Sequence, residues 1–249
     1  MFVQLANLVF EVEGVDPRRI PMDYRAEGAS SASRRIIITP ELIAKERAQA
    51  EQPGHTDDYL ASLALHRQIA EVGPQLGLFV AHMAVVEYQG HAYAFAASSG
   101  TGKSTHIRLW MDAFGAEVTV INGDKPILTL GNKRQVIAHG APWAGKEGWQ
   151  TNTGAPLAGI CLLSRGARNE CRGIAAPEAL PRIMQQVYMP QNPVSAELTL
   201  DFLDVLLRGV PLFDLTCTME RSAAKVSFEA MTGLDFDTCA RDREAEHED

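Results

Sequence analysis

The run Ala97-Ser-Ser-Gly-Thr-Gly-Lys-Ser-Thr105 lies between an apolar segment, His91-Ala-Tyr-Ala-Phe-Ala96, and a segment of helical periodicity that begins His106-Ile-Arg-Leu-Trp-Met111. A glycine loop that leaves a strand and enters a helix is the setting in which Gly-Lys-Ser-Thr binds phosphate instead of serving as a plain turn. Glycines at 100 and 102 let backbone N–H groups turn inward on phosphate oxygens. The first turn of the helix adds its unpaired donors and the positive end of its dipole. Ser99, Gly100, Thr101, Gly102, Lys103, Ser104 and Thr105 are therefore the candidate nucleotide contacts. Lys103 is expected to reach the β- and γ-phosphates, and the Ser104 hydroxyl to bind Mg²⁺. The standard spacing asks for a further glycine where this chain has Ala97, so the entry turn must differ slightly.

The 249 residues, 46% of them hydrophobic, can bury a substantial core in one large or two small domains. A formal net charge of −8 without a block of Lys/Arg argues against binding a nucleic-acid backbone, so anionic substrates must be met by local donors. The four cysteines, Cys161, Cys171, Cys217 and Cys239, form no Cys-x-x-Cys pair, and Cys161 sits inside Ala158-Gly-Ile-Cys-Leu-Leu163 as a small hydrophobe. That usage fits a reducing compartment. With neither a charged-then-apolar leader nor an apolar stretch of about 18 residues, the expectation is a cytoplasmic protein without a membrane span. Assembly into a homo-oligomer is left open.

Along the chain, residues 2–12 alternate with period two as a strand, and 22–34 are polar and turn-rich. Thr39-Pro-Glu-Leu42 opens one helix and Asp57-Asp-Tyr-Leu60 a second, running to about Val72. From Leu76 short apolar strands follow at 77–87, 91–97, 117–122, 126–130, 134–139 and 157–164, interrupted by a helix from 103 to about 113. Helices are expected again at 177–189, 195–208 and 220–232, around a strand at 211–217. So many strands around one helix indicate an α/β fold with a mixed (α+β) sheet, not a doubly wound one. The expected division is a small N-terminal β-containing subdomain (1–75), a core (76–236) and a mobile acidic tail (237–249).

Beyond the glycine loop, Val118-Thr-Val-Ile-Asn-Gly-Asp-Lys-Pro126 is a strand ending in Asp124, where a carboxylate could give Mg²⁺ its second protein ligand. The competing reading is a hairpin turn made by Asn-Gly-Asp. The segment His139-Gly-Ala-Pro-Trp-Ala-Gly-Lys-Glu-Gly-Trp149 could fold over phosphates, with Lys146 as a second clamp and a tryptophan excluding water; a surface loop with aromatic anchors is the alternative. His82 interrupts an apolar strand and could orient a phosphate or take a proton, against the plainer reading of a satisfied core residue. His106 is expected at the helix surface or facing an acceptor. Neither an H-E-x-x-H metal motif nor a G-x-S-x-G nucleophile elbow is present.

These motifs together, Ala81-His-Met-Ala-Val-Val86, Ser99-Gly-Thr-Gly-Lys-Ser-Thr-His106, Ile121-Asn-Gly-Asp-Lys-Pro126 and Gly140-Ala-Pro-Trp-Ala-Gly-Lys-Glu147, resemble the small kinases related to HPr kinase/phosphorylase and, more distantly, ATP-dependent phosphoenolpyruvate carboxykinase. Weaker matches at Gln185-Gln-Val-Tyr-Met-Pro190 and Val210-Pro-Leu-Phe-Asp-Leu-Thr-Cys217 extend the resemblance over most of the chain. It implies a carboxykinase-like nucleotide core, ATP and Mg²⁺ as cofactors, and γ-phosphoryl transfer to a serine of a peptide or protein. A small-molecule hydroxyl acceptor, or an ATP-binding sensor without catalysis, are the alternatives. By the same resemblance Asp124 corresponds to the second acid of the family's Asp-Asp pair, and the first is replaced by Gly123. Proton abstraction would then fall to Asp124 alone, to His82, or to no strong base.

Overall fold

The computed structural model describes residues 1–50 and 53–240. In chain order the strands are β1 (Phe2–Leu5), β2 (Leu8–Glu13), β3 (Arg34–Ile37), β4 (Phe79–Val80), β5 (Met83–Tyr88), β6 (His91–Ala96), β7 (Val118–Asn122), β8 (Ile127–Leu130), β9 (Val136–His139), β10 (Gly154–Arg165), β11 (Glu170–Gly173) and β12 (Leu212–Cys217). The helices are α1 (Pro40–Gln49), α2 (Asp57–Val72), α3 (Lys103–Phe114), α4 (Ala176–Met184), α5 (Pro193–Gly209) and α6 (Arg221–Thr232).

Nine of the strands make one mixed sheet in the order β4-β8-β9-β10-β6-β5-β7, with β12 and β11 branching from β10. The long β10 is shared: Gly154–Pro156 pair antiparallel with β9, and Ile160–Arg165 pair parallel with β12. The mixed-sheet α/β class expected from the strand density is the one observed. Within β5 the side chains alternate as the pleat requires, Met83 and Val85 facing one core, Ala84, Val86 and Tyr88 the other. Both faces are therefore covered. Helices α4 and α5 cover the first, where Phe79 stacks on Phe202 at 3.9 Å between centroids. Helices α3 and α6 cover the second around Trp110, which meets Phe95 and Phe228 edge-on at 5.5 and 5.3 Å.

A third core joins the separate β1-β2-β3 sheet and α2 to the β4/β8 end of the large sheet, through Leu78, Val80, Ile127 and Trp143. Some boundaries differ from expectation. Residues 2–12 are a hairpin, not one strand, because Ala6 takes a left-handed φ of 51° at the turn. The turn-rich 22–34 stretch leads into β3, which pairs parallel with β2. Strand 77–87 breaks at Ala81 and His82, and the 177–189 helix stops at Met184, where the two meet: after a turn at 185–186, Val187 bridges to Ala81. Strand β11 carries no apolar alternation that the sequence could show, because its residues are mostly exposed. Of the expected tail, Ala240 is buried next to the aromatic core, and 241–249 lie outside the described residues. Among the described residues no helix is long and apolar enough to cross a membrane.

Candidate functional site

Strands β6, β10 and β12 run parallel, and β7, antiparallel to β5, runs the same way as β6. Their C-terminal ends therefore share one edge of the sheet, the edge where open α/β sheets hold ligands. From β6 leaves the glycine loop, from β7 the Gly123-Asp124 turn, from β10 Arg165 and from β12 Cys217-Thr218. A cavity of about 780 Å³ opens there, lined by every residue from Ser99 to Thr105 together with His82, Asp124 and Lys146. Candidates scattered over 65 residues of sequence converge on one space.

Gly100 and Gly102 hold φ values of 74° and 125°, and a Cβ on either would touch no neighbour, so backbone conformation and not crowding requires glycine there. Ala97 avoids positive φ, and its methyl is buried in the aromatic core, which is how this loop dispenses with the usual first glycine. Arg165 braces the loop from outside by donating to the carbonyls of Gly100 and Thr101. Lys103 is only 8% exposed. Its ammonium donates to the Ala97 carbonyl at 2.9 Å and stands 3.1 Å from His82 Nε2. Burial lowers its pKa, with Asp124 acting in the opposite direction.

Asp124 is set by the residue two before it. The Asn122 carboxamide oxygen accepts from the Asp124 and Lys125 amides at 2.9 and 2.6 Å, while its nitrogen donates to Ala141 O. This is turn chemistry, yet β7 and β8 do not pair, so it is not the two-stranded hairpin of the alternative reading. Asp124 meets His82 Nε2 at 3.2 Å through Oδ1 and Lys125 Nζ at 3.1 Å through Oδ2. Burial pushes this carboxyl up, but the hydrogen bond from His82 and the Lys125 ammonium outweigh it and hold it at about 2.

Gly123 is enclosed by the loop that carries Lys146. Its N–H donates to Trp149 O at 2.8 Å, and a Cβ would stand 3.2 Å from Ala144 O and 3.4 Å from Trp149 O. A side chain at this position would hold its first carbon in tight contact with those carbonyl oxygens. Gly145 in turn sits against Asp124: a Cβ on it would lie 3.1 Å from the Asp124 Cβ. Lys146 and Glu147 are exposed and line the cavity.

Neither tryptophan of that loop lines the cavity, contrary to the expected water-excluding role. Trp143 turns to the third core and donates to Ser62, and Trp149 packs beneath the Arg108 guanidinium, 5.2 Å from its ring centre. His106 is also not on the helix surface. It is 2% exposed, its Nε2 is 2.9 Å from Ser227 Oγ, and burial lowers its pKa to about 3. Sequence reasoning passed over Arg165, Glu147 and Gln186. Arg165 had a signal, a cation directly ending an apolar strand; Gln186 had none beyond its place in a motif.

No protein-family model matches the chain, and no curated protein does. Among solved structures it is similar to the HPr(Ser) kinase/phosphatase from Coxiella burnetii, with 10% sequence identity over 68% of this chain and 99% of that one, at a TM-score of 0.34.

Proposed function

We propose that the chain is an ATP- and Mg²⁺-dependent phosphotransferase that moves the γ-phosphoryl group to a hydroxyl, a serine of a peptide or protein. The observation that carries this reading is the convergence of Lys103, Ser104, Asp124 and Lys146 on one cavity at the N-terminus of α3. The donors suit the cofactors. Loop amides and two lysines match a polyphosphate, and a hydroxyl plus a carboxylate match the hard-oxygen preference of Mg²⁺, which takes its other oxygens from phosphates and water. Leu109, Leu163 and Met219 add apolar lining to the cavity, which suits contact with a base.

In the reaction the acceptor oxygen bonds to the γ-phosphorus, the bond to the bridging oxygen breaks, ADP leaves and the hydroxyl proton is released. A carboxylate held at about 2 is a weak proton acceptor, so Asp124 orients and binds metal more than it abstracts. A loose transition state tolerates this, because charge stabilisation by Lys103 and Lys146 matters more than early deprotonation. The carboxykinase-like core and the serine acceptor rest on the family resemblance. Peptides containing serine, incubated with the protein and labelled Mg-ATP, test the reading, with Asp124→Asn as control. Label on serine, falling on the order of 10²-fold in a variant that remains folded at the assay temperature, supports it. ATP binding without transfer to any hydroxyl would leave the sensor reading instead.

A further inference from the structure

We propose that Gln186 is a positioning residue that fixes the ring tautomer of His82, placing the proton on Nε2 so that the imidazole donates to Asp124 and leaves Lys103 free for phosphate.

The two contacts of His82 Nε2 are incompatible as they stand. That nitrogen is 3.1 Å from the Lys103 ammonium, which can only donate, and 3.2 Å from an Asp124 carboxylate oxygen, which can only accept. With its proton on Nε2 the ring serves Asp124; with a lone pair there it captures Lys103. The other ring nitrogen decides between them. Gln186 is 6% exposed, and its side-chain amide faces Ala97 O, His82 O and His82 Nδ1. Two of these are carbonyls and can only accept, so the amide presents its nitrogen, at 3.0, 3.1 and 3.2 Å respectively. An amide nitrogen has two hydrogens to share among these three atoms and accepts no hydrogen bond itself, so it cannot face an Nδ1–H, and Nδ1 must carry the lone pair. The ring proton is then on Nε2, aimed at Asp124.

The backbone keeps this arrangement in register. His82 N–H donates to Gln186 O at 2.6 Å, and Tyr188 N–H to Val80 O at 2.9 Å, so the glutamine cannot slide along the histidine strand. Its amide also reaches the same Ala97 carbonyl that receives Lys103. When Lys103 leaves for a phosphate, that buried oxygen keeps a donor.

The consequence for turnover rests on the kinase reading above, whereas the tautomer does not, and the two are measured separately. The protein is labelled with ¹⁵N-histidine, and long-range ¹H–¹⁵N correlation identifies which His82 nitrogen carries the proton, the signal being assigned by its loss in His82→Asn. The wild type should show Nε2–H. Gln186→Met, which keeps the volume and removes the donor, should give a mixture with a substantial Nδ1–H fraction. Gln186→Glu, which replaces the donor by an acceptor, should favour Nδ1–H. Transfer in Gln186→Met should fall about 10- to 100-fold in kcat, as for other groups that orient a site through a histidine. Nδ1–H in the wild type, or an unchanged Nε2–H signal in Gln186→Met, overturns the proposal. If wild type transfers no phosphate, the function reading fails and the tautomer result still decides this one.

Discussion

Lys103 reaches back to the first residue of its own loop, its ammonium 2.9 Å from the carbonyl oxygen of Ala97. This contact holds the side chain folded into the cavity beside His82 and Asp124, where a phosphate would take it over. Because burial already disfavours its charge, removing the ammonium relieves a desolvation cost, and Gln186 still serves the Ala97 oxygen. Lys103→Ala should therefore abolish transfer, by about 10²-fold or more, without lowering the melting temperature of the nucleotide-free protein. Wild-type turnover in the variant would remove Lys103 from the site.

Lys146 stands on the exposed rim of the same cavity, on a turn whose Gly145 backs onto Asp124. Removing a charge that engages only as the phosphoryl group departs lowers kcat without changing binding. With ATP varied at saturating acceptor, Lys146→Met should show a reduced kcat and a KM close to wild type. A raised KM at unchanged kcat would make Lys146 a ground-state contact only.

Placing an acid at Gly123 should harm the protein. A Cβ there would crowd the carbonyls of Ala144 and Trp149 at 3.2 and 3.4 Å, and the loop they belong to, tied to β7 by the Gly123 to Trp149 hydrogen bond, would have to give way. Gly123→Asp should cost about 1–3 kcal/mol by overpacking, read from denaturant unfolding, and should lower activity by shifting Lys146. Increased turnover at full stability would mean that the loop yields more readily than its contacts imply.

His106 makes the nucleotide-free protein sensitive to acid. Ser227 Oγ gives its proton to Ala224 O and receives Trp110 Nε1–H, so His106 Nε2 must also donate to it, leaving buried Nδ1 without a partner. In the folded chain the pKa is about 3; unfolded it returns to about 6.5. Between those values the unfolded chain binds the extra proton, so stability falls as pH drops below about 6.5 and levels off near 3. Acidification from pH 7.5 to 5 should cost about 2 kcal/mol through this residue. Urea unfolding at both values should show a shallower dependence in His106→Phe, and an equal dependence would exclude His106 as the source.

Much of this molecule is written locally. The Gly100 and Gly102 conformations, the start of α3 at Lys103, the Asn122 turn that presents Asp124 and the pleat alternation of β5 all follow from residues within a few positions of each other, so they are legible in a single sequence. Pairings between distant segments are not. The break at His82, the early end of α4 and the orientation of Gln186 meet in one contact between residues 80–82 and 186–188, which no periodicity in either stretch announces. The burial of His106 depends on Ser227, and the crowding around Gly123 on a loop more than twenty residues further on. Short-range sterics and hydrogen bonds placed the chemistry at particular residues. Long-range packing decided which of those residues face one another, and through that which atom of His82 holds the proton.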